Sequence, residues 1–271
     1  MRYLMTFSYD GTNFNGYQKQ EGYRTIEEEL EKALTFINNH QLTKVVSSGR
    51  TDKGVHAMCQ KAHFDLLVDI TDYKLKCALN SNLPEDIHVI DVMQVNDEFH
   101  ARYMVKKKAY KYYLNIGEYN PLERNYVYQY CKNLNISVMQ EAIKDLIGIH
   151  DFKSFTPNKD KRNNYVREIF NASIDVVDNK LIFTFEGNGF IKYQIRNMVG
   201  YLIKIGEGKK DVNSIPMVLE NKDRTAASIT AHAEGLWLVD VKYWYLLRIV
   251  QKIEIFSENM IFMQVLRKKR N

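Results

Sequence analysis

Between Ser47 and Ala57 the chain reads Ser-Ser-Gly-Arg-Thr-Asp-Lys-Gly-Val-His-Ala. Arg50, Asp52 and Lys53 crowd together there, with Gly49 and Gly54 on either side. An arginine close to a carboxylate favours its charged form. An ionised carboxylate sheltered in a loop can act as a nucleophile or as a base. The same residues also spell a plain turn, because Asp and Gly are ordinary turn residues. Arg50 and Asp52 would share a face on an extended segment. Arg50 is then placed for a phosphate contact, or it is a turn-stabilising surface arginine.

Further along, Arg102, Lys106, Lys107, Lys108 and Lys111 form a basic run that leads into Tyr110, Tyr112 and Tyr113. Basic runs are usually solvated faces, but Lys and Arg also grip phosphates without reading sequence. Lys159, Lys161 and Arg162 offer a second basic contact in a polar loop. Arg196 stands in an apolar stretch beside Ile195 and Met198, where a charged residue is usually solvated on the outer face. His56 and His63 share no ligand spacing with a carboxylate cluster, so no metal is assigned.

The elements that must position these residues follow from composition and periodicity. The 271 residues suffice for one large domain or two modest ones. Hydrophobic residues at 45% and charged residues at 26% fit a globular enzyme rather than a disordered chain. The net charge of +5 permits a polyanionic partner without demanding one. Cys59, Cys77 and Cys131 are odd in number and far apart, which excludes a disulfide framework and a zinc spacing. A reduced, cytoplasmic setting is the simple expectation. No signal peptide is expected at the N-terminus, and no apolar run approaches a membrane span.

Tyr3 to Tyr9 alternates as a strand. Thr25-Ile26-Glu27-Glu28 has capping-box spacing, and Ile26, Leu30, Ala33, Leu34 and Ile37 then share a helical face. Val45 and Val46 make a short strand into the Asp52 loop. Lys61 to Asp65 is a strand beyond it, Tyr73 to Leu79 a weak helix, and Ile87 to Val95 a strand. The second half repeats this order. Tyr110 to Ile116 reads as a strand, and Ser137 to Gln140 as a capping box with Val138, Ala142 and Leu146 behind it. Ile169 to Val177 and Leu181 to Glu186 form a hairpin. Ile191, Ile195, Met198, Val199 and Leu202 mark a helix, and Leu236 to Tyr243 the last strand. Each half is β-α-β-β-α-β, the ferredoxin-like order. The expected architecture is α+β. Two such units, 1–104 and 105–243, form a continuous antiparallel sheet with a central cleft, and Asp52 lies at one end of the sheet. Residues 244–271 extend beyond both, apolar and then basic.

The motif around Asp52 resembles the active-site motif of the tRNA pseudouridine synthase A family, an Arg-Thr-Asp-x-Gly-Val-His-Ala core. Four other segments resemble that family in the same order. They are Tyr9 to Gln18, with Tyr17 where the family usually has Trp; Phe99 to Arg102 with Lys108 to Tyr112; Phe190 to Gly200, with departures at Gln194 and Ile195; and Asp223 to Ala227 with Ala233 to Leu238. The resemblance implies a pseudouridine synthase fold and isomerisation of uridine to pseudouridine in the anticodon stem-loop of tRNA, at positions 38, 39 and 40. It assigns the attack to Asp52, the ion pair of Asp52 to Arg196, the stacking platform for uracil to Tyr110 and a pocket wall to Leu236. It allows Arg50 to help extrude the base. Lys53, Arg102, Lys106, Lys107, Lys108 and Lys111 become candidate RNA contacts. It also implies a homodimer, a tRNA partner and no cofactor. It gives no account of the 244–271 extension. Another structured RNA such as ribosomal RNA, or an RNA-binding or RNA-folding paralogue without catalysis, is the alternative.

Overall fold

The computed structural model describes residues 1–157, 163–227 and 229–244. Lys159, Lys161, Arg162 and the extension from 245 onward lie outside the described residues. Among the described residues no helix is long and apolar enough to cross a membrane.

The first half runs β1 (Arg2–Tyr9), α1 (Ile26–Ile37), β2 (Val46–Ser47), β3 (His56–Asp65), α2 (Asp72–Asn82) and β4 (Ile87–Val95). The second runs β5 (Val105–Asn115), β6 (Tyr128–Gln129), α3 (Ile136–Ala142), β7 (Gly148–Asp151), β8 (Val166–Val177), β9 (Lys180–Gly187), α4 (Gln194–Gly206), α5 (Ser214–Asn221) and β10 (Leu236–Tyr243). One sheet carries all ten strands in the order β4-β1-β3-β10-β5-β9-β8-β7, with β2 on β3 and β6 on β5. Its two halves repeat one arrangement. In each, the first strand lies between the last two, as β1 does between β3 and β4 and β5 between β9 and β10.

Period-two alternation buries Phe7 and Tyr9 on β1, and Leu181, Phe183 and Phe185 on β9, in a core that runs through both halves. Helix α1 adds Ile26, Leu30, Ala33 and Leu34, the face expected from its spacing. Helix α4 is buried nearly all round, which suits its apolar composition.

Several expectations are corrected. The sheet is continuous but not wholly antiparallel. The seam between the halves is parallel, with Trp237 opposite His56 and Leu238 opposite Ala57. Strands β3 and β10 both start at the same end of the sheet and lead away from it, so they run side by side in one direction. Strand β5 begins five residues earlier than its aromatic run suggests. Pairing with β10 at Val105, Lys107 and Lys108, joined by β9 from Lys108 onward, holds this stretch extended. The α3 cap is Asn135, whose side chain accepts from the Val138 amide, and not Ser137. Thr25 is the N-cap of α1 without a side-chain bond, and Glu28 turns outward to Lys32 at 3.5 Å. Strands β6 and β7 and helix α5 are too short to carry a readable period.

Candidate active site

Asp52 lies in the loop between β2 and β3, and nearly every neighbour in that loop is tied down. The Ser48 amide donates to the Lys61 carbonyl at 2.7 Å. The Gln60 amide group donates to the Gly49 carbonyl at 3.0 Å, and Lys108 Nζ donates to the Ser48 carbonyl at 2.7 Å. The Tyr17 amide donates to the Thr51 carbonyl at 3.1 Å, while Tyr9 Oη and Thr51 Oγ1 share a 2.8 Å bond. The loop after β1 presses on the other side. A Cβ at Gly11 would sit 2.1 Å from the Val55 carbonyl oxygen, and Gly16 has φ +88° against Thr51 and Lys53. Only glycine satisfies both demands.

His56, fully buried, locks the loop to the seam. The Gly11 amide donates to its Nδ1 at 3.1 Å. An amide can only donate and a carbonyl only accept, so the ring proton is on Nε2, which donates to the Asn125 carbonyl at 2.8 Å. The ring stacks on Trp237 at 4.3 Å. Burial lowers the His56 pKa, which agrees with this neutral tautomer. Sequence spacing excluded His56 as a metal ligand but did not reveal this positioning role. Among the described residues no cluster of three or more His, Cys, Asp or Glu side chains could hold a metal.

The loop delivers Asp52 into a cleft of about 1050 Å³. Tyr110 of β5, Leu236 at the start of β10 and Arg196 in the first turn of α4 line the same cleft. Segments more than a hundred residues apart in the chain thus converge on one carboxylate. Arg196 Nη1 lies 3.7 Å from Asp52 Oδ2, an ion pair beyond direct hydrogen-bond length. Its Nε donates to the Ala231 carbonyl at 2.8 Å. Arg50 lines the cleft but forms no ion pair with Asp52 among the described residues, so the neighbour in space replaces the neighbour in sequence.

The Asp52 carboxyl is pushed up to about 6. Burial is the largest cause, and Arg196 and then Lys192 pull the other way. The cation expected to keep the group charged therefore only limits the rise. The Tyr110 phenol is pushed well up by burial, with Tyr9 and Asp52 adding to it, and is neutral. Its ring meets Phe190 edge-on at 5.3 Å.

Asp52 is the one carboxylate among the described residues that line the cleft. Facing it are the cations Arg50, Lys53, Arg102, Lys108, Arg167, Lys192 and Arg196. The basic run is split by strand alternation, with Lys108 and Tyr110 on one face of β5 and Lys107 and Lys111 on the other. Lys106, Lys107 and Lys111 do not line the cleft, and Lys107 pairs with Glu186 at 2.9 Å. Burial pulls Lys108 down to about 8, with repulsion from Arg102 and Arg167 adding to it. Phe190, Lys192 and Tyr193 also line the cleft, and the sequence did not single them out as site residues. Their one signal was their place in the Phe190 to Gly200 segment that resembles the family.

Comparison with known proteins matches both halves of this scaffold. The family model described as tRNA pseudouridine synthase matches residues 5–104 and 142–244. Curated relatives named tRNA pseudouridine synthase A match over most of the chain. The protein from Limosilactobacillus reuteri strain DSM 20016 is 44% identical over 247 residues, covering 89% of this chain and 96% of its own length. That from Streptococcus mutans is 44% identical, covering 90% of this chain and 99% of its own. That from Streptococcus uberis is 45% identical, covering 89% and 98%. Matched along both halves and through the loop that carries Asp52, the chain belongs to the tRNA pseudouridine synthase family.

Proposed function

We propose that this chain isomerises uridine to pseudouridine in tRNA, with Asp52 as the attacking carboxylate. The observation that carries the proposal is the cleft itself, where among the described residues one sheltered carboxylate shares the lining with seven cations and the Tyr110 ring. A polyanion is drawn to such a cleft, and phosphate contacts position it. The reaction breaks the N1–C1′ bond, makes a C5–C1′ bond and moves the C5 hydrogen, with no net gain or loss of atoms. Each part of the cleft has a place in that sequence. Unstacking the target nucleotide costs a few kcal/mol, and stacking on the Tyr110 ring returns ~1–3 kcal/mol. A flat ring also holds the detached uracil without fixing its rotation, which the turn from N1 to C5 requires. Leu236 walls the pocket and keeps water out. With its pKa at about 6, Asp52 is about nine-tenths ionised at neutral pH. Arg196 stabilises that charge as the substrate closes over it.

The remaining features belong to the same reading. The shared strand order of the halves supports two ferredoxin-like units, 1–104 and 105–243. The family resemblance supports the anticodon stem-loop as target and a homodimer as the working form. Tritium release from tRNA carrying 5-tritiated uridine tests the proposal directly, because the reaction must expel the C5 hydrogen. Release by the wild type and none by Asp52→Asn is expected. Release by Asp52→Asn at the wild-type rate would refute the role of Asp52, and none by the wild type would refute the activity.

A further inference from the structure

The residue before α4 has an unusual backbone. Tyr193, the N-cap of α4, has φ 61° and ψ 0°, in the left-handed region. For a bulky side chain this is an outlier, and it persists only where the surroundings over-determine it. They do so here. Gln194 is fully buried, and its Oε1 accepts from the Ile191 amide at 2.9 Å. The Gln194 amide donates back to the Ile191 carbonyl at 3.1 Å, and the Tyr193 carbonyl accepts the first helical bond from Asn197 at 2.9 Å. This closed turn sends the Tyr193 ring to one place. The Arg196 guanidinium carbon lies 5.0 Å from its centroid, and Lys192 Nζ lies 5.3 Å from the same centroid. With its Nε on the Ala231 carbonyl and its guanidinium carbon over the ring, Arg196 holds Nη1 3.7 Å from Asp52 Oδ2.

We infer that Tyr193 is a positioning residue, whose ring, presented by the left-handed turn, steers Arg196 onto Asp52. The inference rests on the functional reading above for its importance in turnover, but the coupling it describes exists in the RNA-free protein. The charged and titratable groups that share the cleft with Asp52 include Arg196, with Lys192 and Tyr193 just before α4, Lys108 and Tyr110 on β5, Arg102 before β5, Arg167 on β8, Tyr17 after β1, and Arg50 and Lys53 on the loop itself. Among the described residues Arg196 and Lys192 are the cations over the Tyr193 ring, so losing the ring loosens both cations that lower the Asp52 pKa.

The test uses Tyr193→Asn, which tolerates the left-handed backbone and removes the ring, with Tyr193→Gly as a second ringless variant and Tyr193→Phe as the rescue. The Asp52 carboxyl is titrated by carbon NMR in RNA-free protein, its signal assigned by its loss in Asp52→Asn. Both ringless variants are expected to titrate about one pH unit higher than wild type, since a nearby cation is worth about 1–3 units. Tyr193→Phe is expected to return to the wild-type midpoint. In single-turnover assays Tyr193→Asn then runs about fivefold slower at about pH 6 and at the wild-type rate near pH 8.5, as ionised fractions for that shift require. An unshifted Asp52 midpoint in both ringless variants overturns the inference, and so does a Tyr193→Phe that titrates with them. A wild-type chain inert on tRNA would instead remove the functional reading and leave the titration standing.

Discussion

Replacing Asp52 by Asn should destroy activity and, above about pH 6, make the fold more stable. The carboxyl has a pKa of about 6 when folded, against 3.8 for the ordinary group. Its folded-state value is raised, so the folded protein holds the proton more tightly than the unfolded chain. Stability therefore falls as pH rises between these two values, and the cost is fully present above the folded pKa. A rise of about two units at 1.36 kcal/mol each corresponds to roughly 3 kcal/mol. The Asp52 side chain is only 17% exposed, so little of this is screened by water. Asn is neutral at every pH and carries none of the cost. The assay is urea unfolding of wild type and Asp52→Asn at about pH 4 and about pH 8, and the quantity compared is the difference between the two proteins at each pH. Taking differences cancels every other titrating group. The stability gap should move toward the variant by roughly 2–3 kcal/mol between the two conditions. A gap that is the same at both pH values would refute the argument that burial outweighs Arg196 at this carboxyl. A gap that moves toward the wild type would show the cation to be dominant.

Removing the Arg196 side chain with Arg196→Ala should raise the Asp52 pKa by a further 1–3 units or so and carry the acid limb of the single-turnover rate to higher pH; an unshifted limb with a normal rate would leave Arg196 without the role given to it. Tyr110→Phe keeps the ring, so turnover should survive if stacking is the whole contribution, whereas a loss of about 10²–10⁴-fold with intact tRNA binding would give the hydroxyl a proton-transfer role. Light scattering at micromolar concentration should return twice the 31.9 kDa chain mass, and the single-chain mass would count against the homodimer. Exhaustive treatment with a chelator should leave the rate unchanged, because neither the sequence nor the described residues gather a ligand cluster; activity lost and then restored by a divalent ion would overturn this.

The family and its chemistry were legible in the chain. The eleven residues from Ser47 to Ala57 place a carboxylate in a glycine-bounded loop between two strands, and local spacing suffices to say so. The helical face of α1 and the alternation of β1 were readable for the same reason, since burial on one side imposes a period on neighbouring residues. What the site does with Asp52 was not local. Its cationic partner is Arg196 and not the adjacent Arg50, because the first turn of α4 arrives beside the loop while Arg50 faces the open cleft. Its pKa goes up rather than down, because the fold buries the carboxyl and desolvation exceeds the pull of a cation at 3.7 Å. The parallel seam, the buried amine of Lys108 and the left-handed Tyr193 have no periodic trace at all. Each comes from segments distant in the chain being forced together, and a one-dimensional pattern holds only what neighbouring residues do to one another.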